Sequence, residues 1–470
     1  MIPLRVDDIA RAVTGRVAGA DPQALVRGVV VDSRDPAPGS MFVAIAGDRV
    51  DGHDFAAAAV ARGCTLVLSA RELVDPEGVP LPCVVVDDPV GALGRLAAWY
   101  RRNQLRCLVI GVTGSTGKTS TKDLIGSILS AVGPTVRAEG SFNTEVGVPL
   151  TILQADGHTQ FLVLEMGMRG EGHIAYLVDM AQPDIGIVVN VGTAHLGMLG
   201  SRESIARAKG ELVRGLSASG IAVLNGDDPY VRAMAADTDA SVVTYGESAG
   251  CDLGATGVRL DDMARPSFTL HDRRGGIDAT APVMLQLSGE HQVSNALGAA
   301  AVALSAGATL DQVGQALSSA TAQSRWRMEV REAPGGYLVI NDAYNANPDS
   351  MRAALKTLAA MAAGRRTWAV LGEMRELGDE AMVEHDAIGR LAVRLDISRL
   401  VCVGEGTRVM HLGASNEGSW GDESVHVADV DAALALLRQQ LRPGDVVLVK
   451  ASRSIGLERI ADALLSGGRP

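Results

Sequence analysis

The chain has 470 residues, a length that predicts two to four domains. It carries 43 lysines and arginines against 55 aspartates and glutamates, so its formal net charge is −12. This charge argues against sequence-independent binding of nucleic acid, because such binding needs a basic face.

Short apolar runs alternate with helical stretches almost throughout, a pattern typical of α/β proteins with largely parallel sheets. The first block, residues 1–88, contains strand-like runs at 28–32 and 41–45. A turn at 87–89 then leads into a predicted helix at 91–102.

The second block, residues 89–323, contains predicted buried strands at 107–112, 161–165 and 185–191, followed by antiparallel hairpins within 250–283. The third block, residues 324–470, repeats the alternation of strands and helices and is predicted to be a Rossmann-like domain. Its predicted strands lie at 337–341, 368–371, 400–403 and 446–450.

The most specific motif is Gly111-Val-Thr-Gly-Ser-Thr-Gly-Lys-Thr-Ser-Thr121, between a predicted strand and a predicted helix. Glycine-rich backbone amides at a helix N-terminus form a site for phosphate oxygens. Lys118 is expected to reach the β and γ phosphates of ATP, and the Thr119 hydroxyl to bind magnesium. The other ATP-binding residues predicted in this loop are Gly114, Ser115, Thr116, Gly117 and Ser120. The alternative is a glycine-rich turn that happens to contain a lysine.

Three further side chains are candidates for catalysis. Glu165 ends a predicted strand beside the loop, where it could hold magnesium, and His195 follows the next strand. The alternatives are a solvated acid and a structural histidine. Lys209 lies on a predicted helix, where its periodicity alone favours a solvated charge.

The chain resembles the Mur ligases, which build the peptide stem of peptidoglycan precursors. The segments that carry the resemblance are Thr113-Gly-Ser-Thr-Gly-Lys-Thr119, Phe142-Asn-Thr-Glu-Val-Gly-Val-Pro149, Glu165-Met-Gly167, Asn190-Val-Gly-Thr-Ala-His195, Lys209, Gly289-Glu-His-Gln-Val-Ser-Asn295, Arg327 and Asp342. The resemblance implies a UDP-sugar-binding domain, a central P-loop ATPase domain and a C-terminal Rossmann-like domain that closes on ATP.

Segments 341–350, 371–378 and 449–454 are similar to the branch of this family that adds D-alanyl-D-alanine to UDP-N-acetylmuramoyl-tripeptide. The reaction implied is an ATP-dependent ligation through an acyl-phosphate. The alternatives are another Mur ligase, a ligase similar to folylpolyglutamate synthase, or a nucleotide switch or binding module with the same P-loop.

The resemblance also implies roles for residues outside the phosphate loop. Those implied for ATP are Asn295, Arg327, Asp342 at the ribose, and Asn345 and Asn347 near the adenine. Those implied for the UDP-sugar and peptide are Ser33, Arg34, His53, Asn143, Thr144, Lys450, Ser452 and Arg453. In two places the chain departs from the family pattern: Arg325-Trp326-Arg327 leaves Arg325 as an alternative to Arg327, and Gln292 replaces an asparagine.

Two magnesium ions are implied. One is expected on Thr119 and Glu165, and the second on His195 and Lys209, whose amine is commonly carbamylated in this family. Because ATP would contact two blocks, we expect hinge closure during turnover.

The five cysteines lie mostly in apolar runs without a Cys-x-x-Cys motif, which is typical of a reducing compartment. The N-terminus shows no signal-peptide pattern, and no apolar run is long enough to cross a bilayer. The sequence therefore predicts a soluble, cytoplasmic protein that acts on small molecules and does not insert into membranes. A monomer is expected, although no pattern in the sequence indicates the oligomeric state.

Overall fold

The structure is a computed structural model that describes residues 1–47, 50–194, 196–419 and 421–467. It confirms the α/β class, because parallel sheets covered by helices make up most of the molecule. Each of its three large sheets lies inside one of the three blocks predicted from the sequence. The block boundaries at 88/89 and 323/324 themselves stay predictions.

The N-terminal block forms a small sheet with strand order β2-β7-β6-β5-β4. Its strands β1 to β7 are Leu4–Arg5, Arg16–Ala18, Leu25–Val26, Gly28–Val30, Ser40–Val43, Leu66–Ser69 and Cys83–Val85, and its helices α1 and α2 are Val6–Val13 and Ala56–Ala61. Helix α1 buries Val6, Ile9, Ala10 and Val13, which share one helical face.

The central block forms a large sheet with strand order β16-β15-β14-β13-β12-β11-β8-β10-β9. Its strands β8 to β16 are Leu108–Thr113, Thr135–Arg137, Phe161–Glu165, Ile185–Val188, Ile221–Asn225, Ser241–Tyr245, Leu253–Leu260, Pro266–Asp272 and Ala279–Met284. Its helices α3 to α11 are Pro89–Gln104, Lys118–Ser130, Gly147–Ile152, His173–Ala181, Leu196–Leu199, Arg202–Arg214, Pro229–Ala233, Gln292–Ser305 and Leu310–Ser319.

Strands β8 to β13 of this sheet run parallel, and β14 to β16 extend it as antiparallel hairpins, as predicted. The predicted end of the strand at residue 191 is wrong, since β11 ends at Val188. Beyond it the backbone turns toward the phosphate loop, where the Ser115 amide donates to the Asn190 carbonyl.

The C-terminal block forms a third sheet with strand order β17-β18-β22-β19-β20-β21, in which only the pairing of β17 with β18 is antiparallel within the described residues. Its strands β17 to β22 are Glu329–Glu332, Leu338–Asn341, Thr367–Leu371, Arg399–Val403, Ser424–Val427 and Val446–Lys450. Its helices α12 to α16 are Pro348–Ala360, Ala381–Arg394, Arg408–Glu417, Val430–Gln440 and Glu458–Leu465.

Helix α3 joins the first two blocks. It buries Leu93, Leu96, Ala97 and Tyr100 in a core that includes residues of α1 and of the central sheet. The Tyr100 hydroxyl accepts a hydrogen bond from the Ile2 amide at 2.6 Å and donates one to the Ala155 carbonyl at 2.7 Å. The N-terminal block is therefore fixed to the central block by a packed helix.

Helices that combine the length and the apolar character needed for a bilayer span do not occur in the described part of the chain.

Candidate active site

The phosphate loop connects β8 to α4. Gly117 stands at the N-cap of α4 with φ of +77°, a left-handed conformation that favours glycine. A Cβ at this position would also lie 2.5 Å from Asn295 Oδ1. The loop thus brings its amides and the N-terminus of α4 together, as a phosphate site requires.

Asn190, after β11, holds the loop in shape. Its Oδ1 accepts from the amides of Ser115 at 3.0 Å and Thr116 at 2.9 Å. Its Nδ2 donates to the Thr116 carbonyl and hydroxyl. This clamp joins two segments that are 75 residues apart in the chain.

Lys118, the first residue of α4, points into the loop, and its Nζ donates to the Gly114 carbonyl at 2.7 Å. Burial lowers the pKa of Lys118, the Glu165 carboxylate opposes this shift, and the positive charge of Arg327 adds to it. An anionic ligand at this point would stabilise the charged form of the lysine.

Glu165 ends β10, which runs parallel to β8, so its carboxylate lies beside the loop. Its Oε2 accepts from the Thr119 hydroxyl at 2.9 Å, and its Oε1 accepts from the Asn143 amide at 2.7 Å. The side chain is buried. The pair of Thr119 and Glu165 supplies oxygen donors of the kind that Mg²⁺ prefers.

A complete protein cage for a metal is absent from residues 1–47, 50–194, 196–419 and 421–467, where no three His, Cys, Asp or Glu side chains cluster to hold an ion. Thr119 and Glu165 nevertheless fit a magnesium ion, because Mg²⁺ usually takes one or two ligands from the protein and the rest from phosphate oxygens and water.

Lys209 on α8 is buried, with 1% of its surface exposed. The described residues give its Nζ one polar contact, to Met168 Sδ at 3.9 Å. Burial holds the pKa of Lys209 well below its ordinary value, and the nearby charge of Lys118 lowers it further. The sequence alone favoured a solvated lysine here, and the structure corrects that interpretation. His195 lies outside the described residues.

Arg327 reaches the loop from the start of the C-terminal block. Its Nη2 donates to the hydroxyls of Thr119 at 3.2 Å and Ser141 at 3.1 Å. Its guanidinium lies 4.2 Å from the centre of the Tyr344 ring, whereas Arg325 lies over Trp326. The geometry therefore places Arg327, and not Arg325, at the phosphate loop.

Two buried polar atoms at this junction, Ser115 Oγ and Arg327 Nε, have no hydrogen-bond partner within the described part of the chain. Buried polar atoms are normally satisfied, so their presence favours a site completed by a ligand.

Other predicted residues of the C-terminal block have hydrogen-bond partners within that block. Lys450 Nζ lies 2.6 Å from Asp342 Oδ2 and donates to the Asn345 carbonyl at 2.9 Å. Asn347 caps α12 by accepting from the Ser350 amide. The Ser452 hydroxyl accepts from the Arg375 amide at 2.9 Å.

Arg453 pairs with Glu458 at 2.8 Å and lies 4.1 Å from the centre of the Trp326 ring. On the central block, Gln292 Oε1 accepts from Asn295 Nδ2 at 2.9 Å, so Gln292 orients the asparagine beside Gly117.

A cavity of about 580 Å³ lies between the central and C-terminal blocks. Predicted residues that line it are Ser115, Thr116, Gly117, Lys118, Thr119, Ser120, Asn143, Thr144, Glu165, Arg327, Asn345 and Asn347. Ser141 and Tyr344 also line it and were missed, because only their contacts with Arg327 mark them out.

The N-terminal candidates do not line this cavity. Arg34 is exposed and pairs with Asp32 at 2.5 Å, next to a half-buried Ser33. His53 is buried, with Nδ1 2.5 Å from Asp51 Oδ1 and Nε2 accepting from the Ala70 amide at 3.0 Å. Both of its ring nitrogens are thus used within the block.

A phosphate loop, a buried carboxylate beside it and an arginine from the C-terminal block together have the features of a nucleotide site of the P-loop class. Three family models together match most of the chain: "Mur ligase family, catalytic domain" at 25–101, "Mur ligase middle domain" at 112–303 and "Mur ligase, glutamate ligase domain" at 326–453. The chain belongs to the Mur ligase family.

Its curated relatives include the UDP-N-acetylmuramoyl-tripeptide--D-alanyl-D-alanine ligases of Mycobacterium tuberculosis (strain H37Rv) and Escherichia coli K12. The first is 50% identical, covering 99% of this chain and 98% of that protein. The second is 35% identical over 100% of both.

Solved structures are similar over the same length. A crystal structure of MurF from Acinetobacter baumannii matches with a TM-score of 0.86 and 32% identity, covering 99% of both chains. The MurF ligase of Thermotoga maritima in complex with ADP matches with a TM-score of 0.79 and 28% identity, covering 94% of this chain and 97% of that one.

Proposed function

We propose that this chain joins D-alanyl-D-alanine to the terminal carboxylate of UDP-N-acetylmuramoyl-tripeptide, using ATP and forming ADP and phosphate. The observation that carries the proposal is identity of up to 50% along the whole chain to relatives named for this reaction. The cavity supports it, because phosphate-binding groups from two blocks converge on one space.

The reaction has two steps. A carboxylate oxygen of the acceptor attacks the γ-phosphorus, the bond to the β-phosphate oxygen breaks, and an acyl-phosphate and ADP result. The amine of D-alanyl-D-alanine then attacks the acyl carbon, loses a proton, and phosphate leaves.

The physical obstacle is bringing an anionic carboxylate to an anionic triphosphate. Lys118 and the amides at the start of α4 are placed to bind the phosphates, and Arg327 adds a second positive charge from the opposite wall. Preorganised charges of this kind account for much of enzymatic phosphoryl transfer.

Magnesium, when bound, would neutralise phosphate charge. Thr119 and Glu165 are the proposed residues for one ion, and His195 with carbamylated Lys209 for a second. The lowered pKa of Lys209 supports the modification, because burial favours the neutral amine, which is the form that attacks carbon dioxide, forming a C–N bond and releasing a proton. The resulting anion would face the charge of Lys118.

The remaining assignments are proposed on the family pattern. They comprise domains at 1–88, 89–323 and 324–470, a UDP-sugar site including Ser33, Arg34 and His53, peptide contacts from Asn143, Thr144, Lys450, Ser452 and Arg453, a monomeric state and a cytoplasmic location. Lys450 is also paired with Asp342, the residue proposed to bind the ribose. The lysine could therefore orient the Asp342 carboxylate toward the ribose in addition to contacting the peptide.

The test is phosphate release from ATP with UDP-N-acetylmuramoyl-tripeptide, comparing D-alanyl-D-alanine, D-alanine, a diamino acid and L-glutamate as the amine. We expect release only with D-alanyl-D-alanine and loss of release in Lys118→Met. Release with a different amine would move the chain to another branch of the family.

A further inference from the structure

The loop of residues 190–194, which follows β11, contacts both the phosphate loop and the C-terminal block. At its start, Asn190 clamps the phosphate loop through Ser115 and Thr116. Three residues later, the Thr193 amide and hydroxyl donate to Asp349 Oδ2 of the C-terminal block, at 3.0 and 3.3 Å. One short segment thus connects the phosphate loop to the opposite domain.

The central block holds this segment firmly. The Val191 amide donates to Asp228 Oδ2 at 2.8 Å, and the Val191 carbonyl accepts from Arg202 at 2.8 Å. The backbone two residues before Thr193 is therefore anchored within the central block.

Asp349 is held from its own side as well. It is the second residue of α12, and its Oδ1 lies 3.3 Å from Arg352 Nη1. Arg352 in turn pairs with Glu384 of α13 at 2.5 Å. The Asp349 carboxylate is thus held by residues of its own block as well as by the loop.

The absence of a side chain at residue 192 permits this contact. A Cβ on Gly192 would lie 2.2 Å from Asp349 Oδ2, and Asp349 Cγ and Ser115 Cβ would each be 3.3 Å away. The carboxylate therefore occupies the space that any other residue at position 192 would fill.

We propose that Asp349 is a positioning residue that latches the C-terminal block onto the loop at 190–194, and so brings Arg327 to the phosphates. The proposal rests on the proposed function, in that Arg327 acts on ATP. It predicts that the latch affects turnover through domain closure, and not through the binding of ATP to the open phosphate loop.

The test compares the ligation kinetics of Asp349→Ala, Asp349→Asn, Gly192→Ala and the Asp349→Ala/Gly192→Ala double variant. We expect Asp349→Ala and Gly192→Ala each to lower kcat about tenfold or more, with KM for ATP nearly unchanged. Asp349→Asn should recover much of kcat, because its carboxamide oxygen can still accept from the Thr193 amide. The double variant should be no slower than Asp349→Ala alone, because the added methyl then meets no carboxylate.

Asp431→Ala is the matched control, since Asp431 is the second residue of α15 and exposed. It removes the same favourable charge from a helix N-terminus without touching another domain, and we expect wild-type kcat. The latch would be contradicted if the loss of kcat in the double variant equalled the product of the two single losses. It would also be contradicted if Asp431→Ala lowered kcat as much as Asp349→Ala does.

Small-angle X-ray scattering with ADP and magnesium provides a readout that does not need the reaction. We expect a larger radius of gyration for Asp349→Ala and Gly192→Ala than for wild type and the control. Profiles that coincide would overturn the latch. Suppose that wild type releases no phosphate with D-alanyl-D-alanine, but that the variants show the expected increase in radius of gyration. That combination would count against the proposed function and not against the latch.

Discussion

Two buried lysines in different blocks of the molecule have opposite surroundings. Lys209 in the central block and Lys450 in the C-terminal block are 1% and 2% exposed, and burial lowers the pKa of both. Lys450 lies 2.6 Å from the Asp342 carboxylate, whereas the described residues give Lys209 only the sulfur of Met168.

The difference separates a lysine whose charge is compensated from one whose charge is not. An unpaired buried ammonium is unfavourable, so the fold favours a neutral amine at Lys209 and an ion pair at Lys450. A buried group that is perturbed without a structural partner is a candidate for chemistry. The comparison therefore supports the proposal that Lys209 is modified, and it gives no such support for Lys450.

The largest effect is expected for Lys209→Met on activity. Loss of the proposed carbamate should lower kcat by about 10²- to 10³-fold, the usual effect of removing one well-placed charged group. In buffers free of carbon dioxide, where Lys209 is unmodified, the thermal midpoint should stay the same or rise, because an unpaired buried amine is replaced by an apolar chain. Lys356→Met, at an exposed lysine of α12, is the control and should leave both quantities unchanged.

The same substitution at Lys450 should act on stability. Lys450→Met leaves the buried Asp342 carboxylate without its cation, which costs about 3–5 kcal/mol in such pairs. Urea denaturation of the full chain measures the free energy of unfolding of this block. The double variant Lys450→Met/Asp342→Asn should recover part of the lost stability, because the unpaired carboxylate is then removed. Equal stability of Lys450→Met and Lys209→Met would remove the distinction between the two sites.

The dependence of stability on pH sharpens the comparison further. The pKa of Lys209 is depressed in the folded chain, so between that pKa and the unfolded value of about 10.4 the unfolded chain binds one more proton. Stability from this group therefore rises with pH across the window and falls as pH decreases. In buffers free of carbon dioxide, wild type should gain stability relative to Lys209→Met from pH 7 to pH 9. A constant difference would show that the amine stays charged.

The smallest structural effect is expected in the N-terminal block. Arg34→Ala breaks an exposed pair with Asp32, so the thermal midpoint should not change measurably. If Arg34 contacts the UDP-sugar, KM for the acceptor should rise about tenfold. Arg11→Ala, which breaks a comparable exposed pair in the same block, should leave KM unchanged.

Local patterns in the sequence were sufficient to predict most of the fold. The strand Phe161–Glu165 has the predicted bounds, and the hairpins after Tyr245 were recognised from their polar composition. Buried parallel strands are continuous apolar runs bounded by turns, so their residues alone indicate them.

The contacts that build the site were less predictable. The helical periodicity around Lys209 predicts a solvated charge, and only the structure shows that this side chain is buried. The choice of Arg327 over Arg325 depends on a contact with Thr119, which lies 208 residues away in the chain. Asp349 and Thr193 are 156 residues apart and carry no mutual signal in the sequence. Pairings of this kind are set by how domains pack, which local periodicity does not encode.

The proposed carbamate on Lys209 can be observed directly in a ¹³C NMR spectrum of the protein in ¹³C-bicarbonate, recorded for wild type, Lys209→Met and Lys450→Met. If Lys209 is carbamylated, wild type and Lys450→Met will show a carbamate carbon signal that is absent from Lys209→Met. A wild-type spectrum without the signal, or a signal that persists in Lys209→Met, would contradict the assignment of Lys209 as the modified lysine.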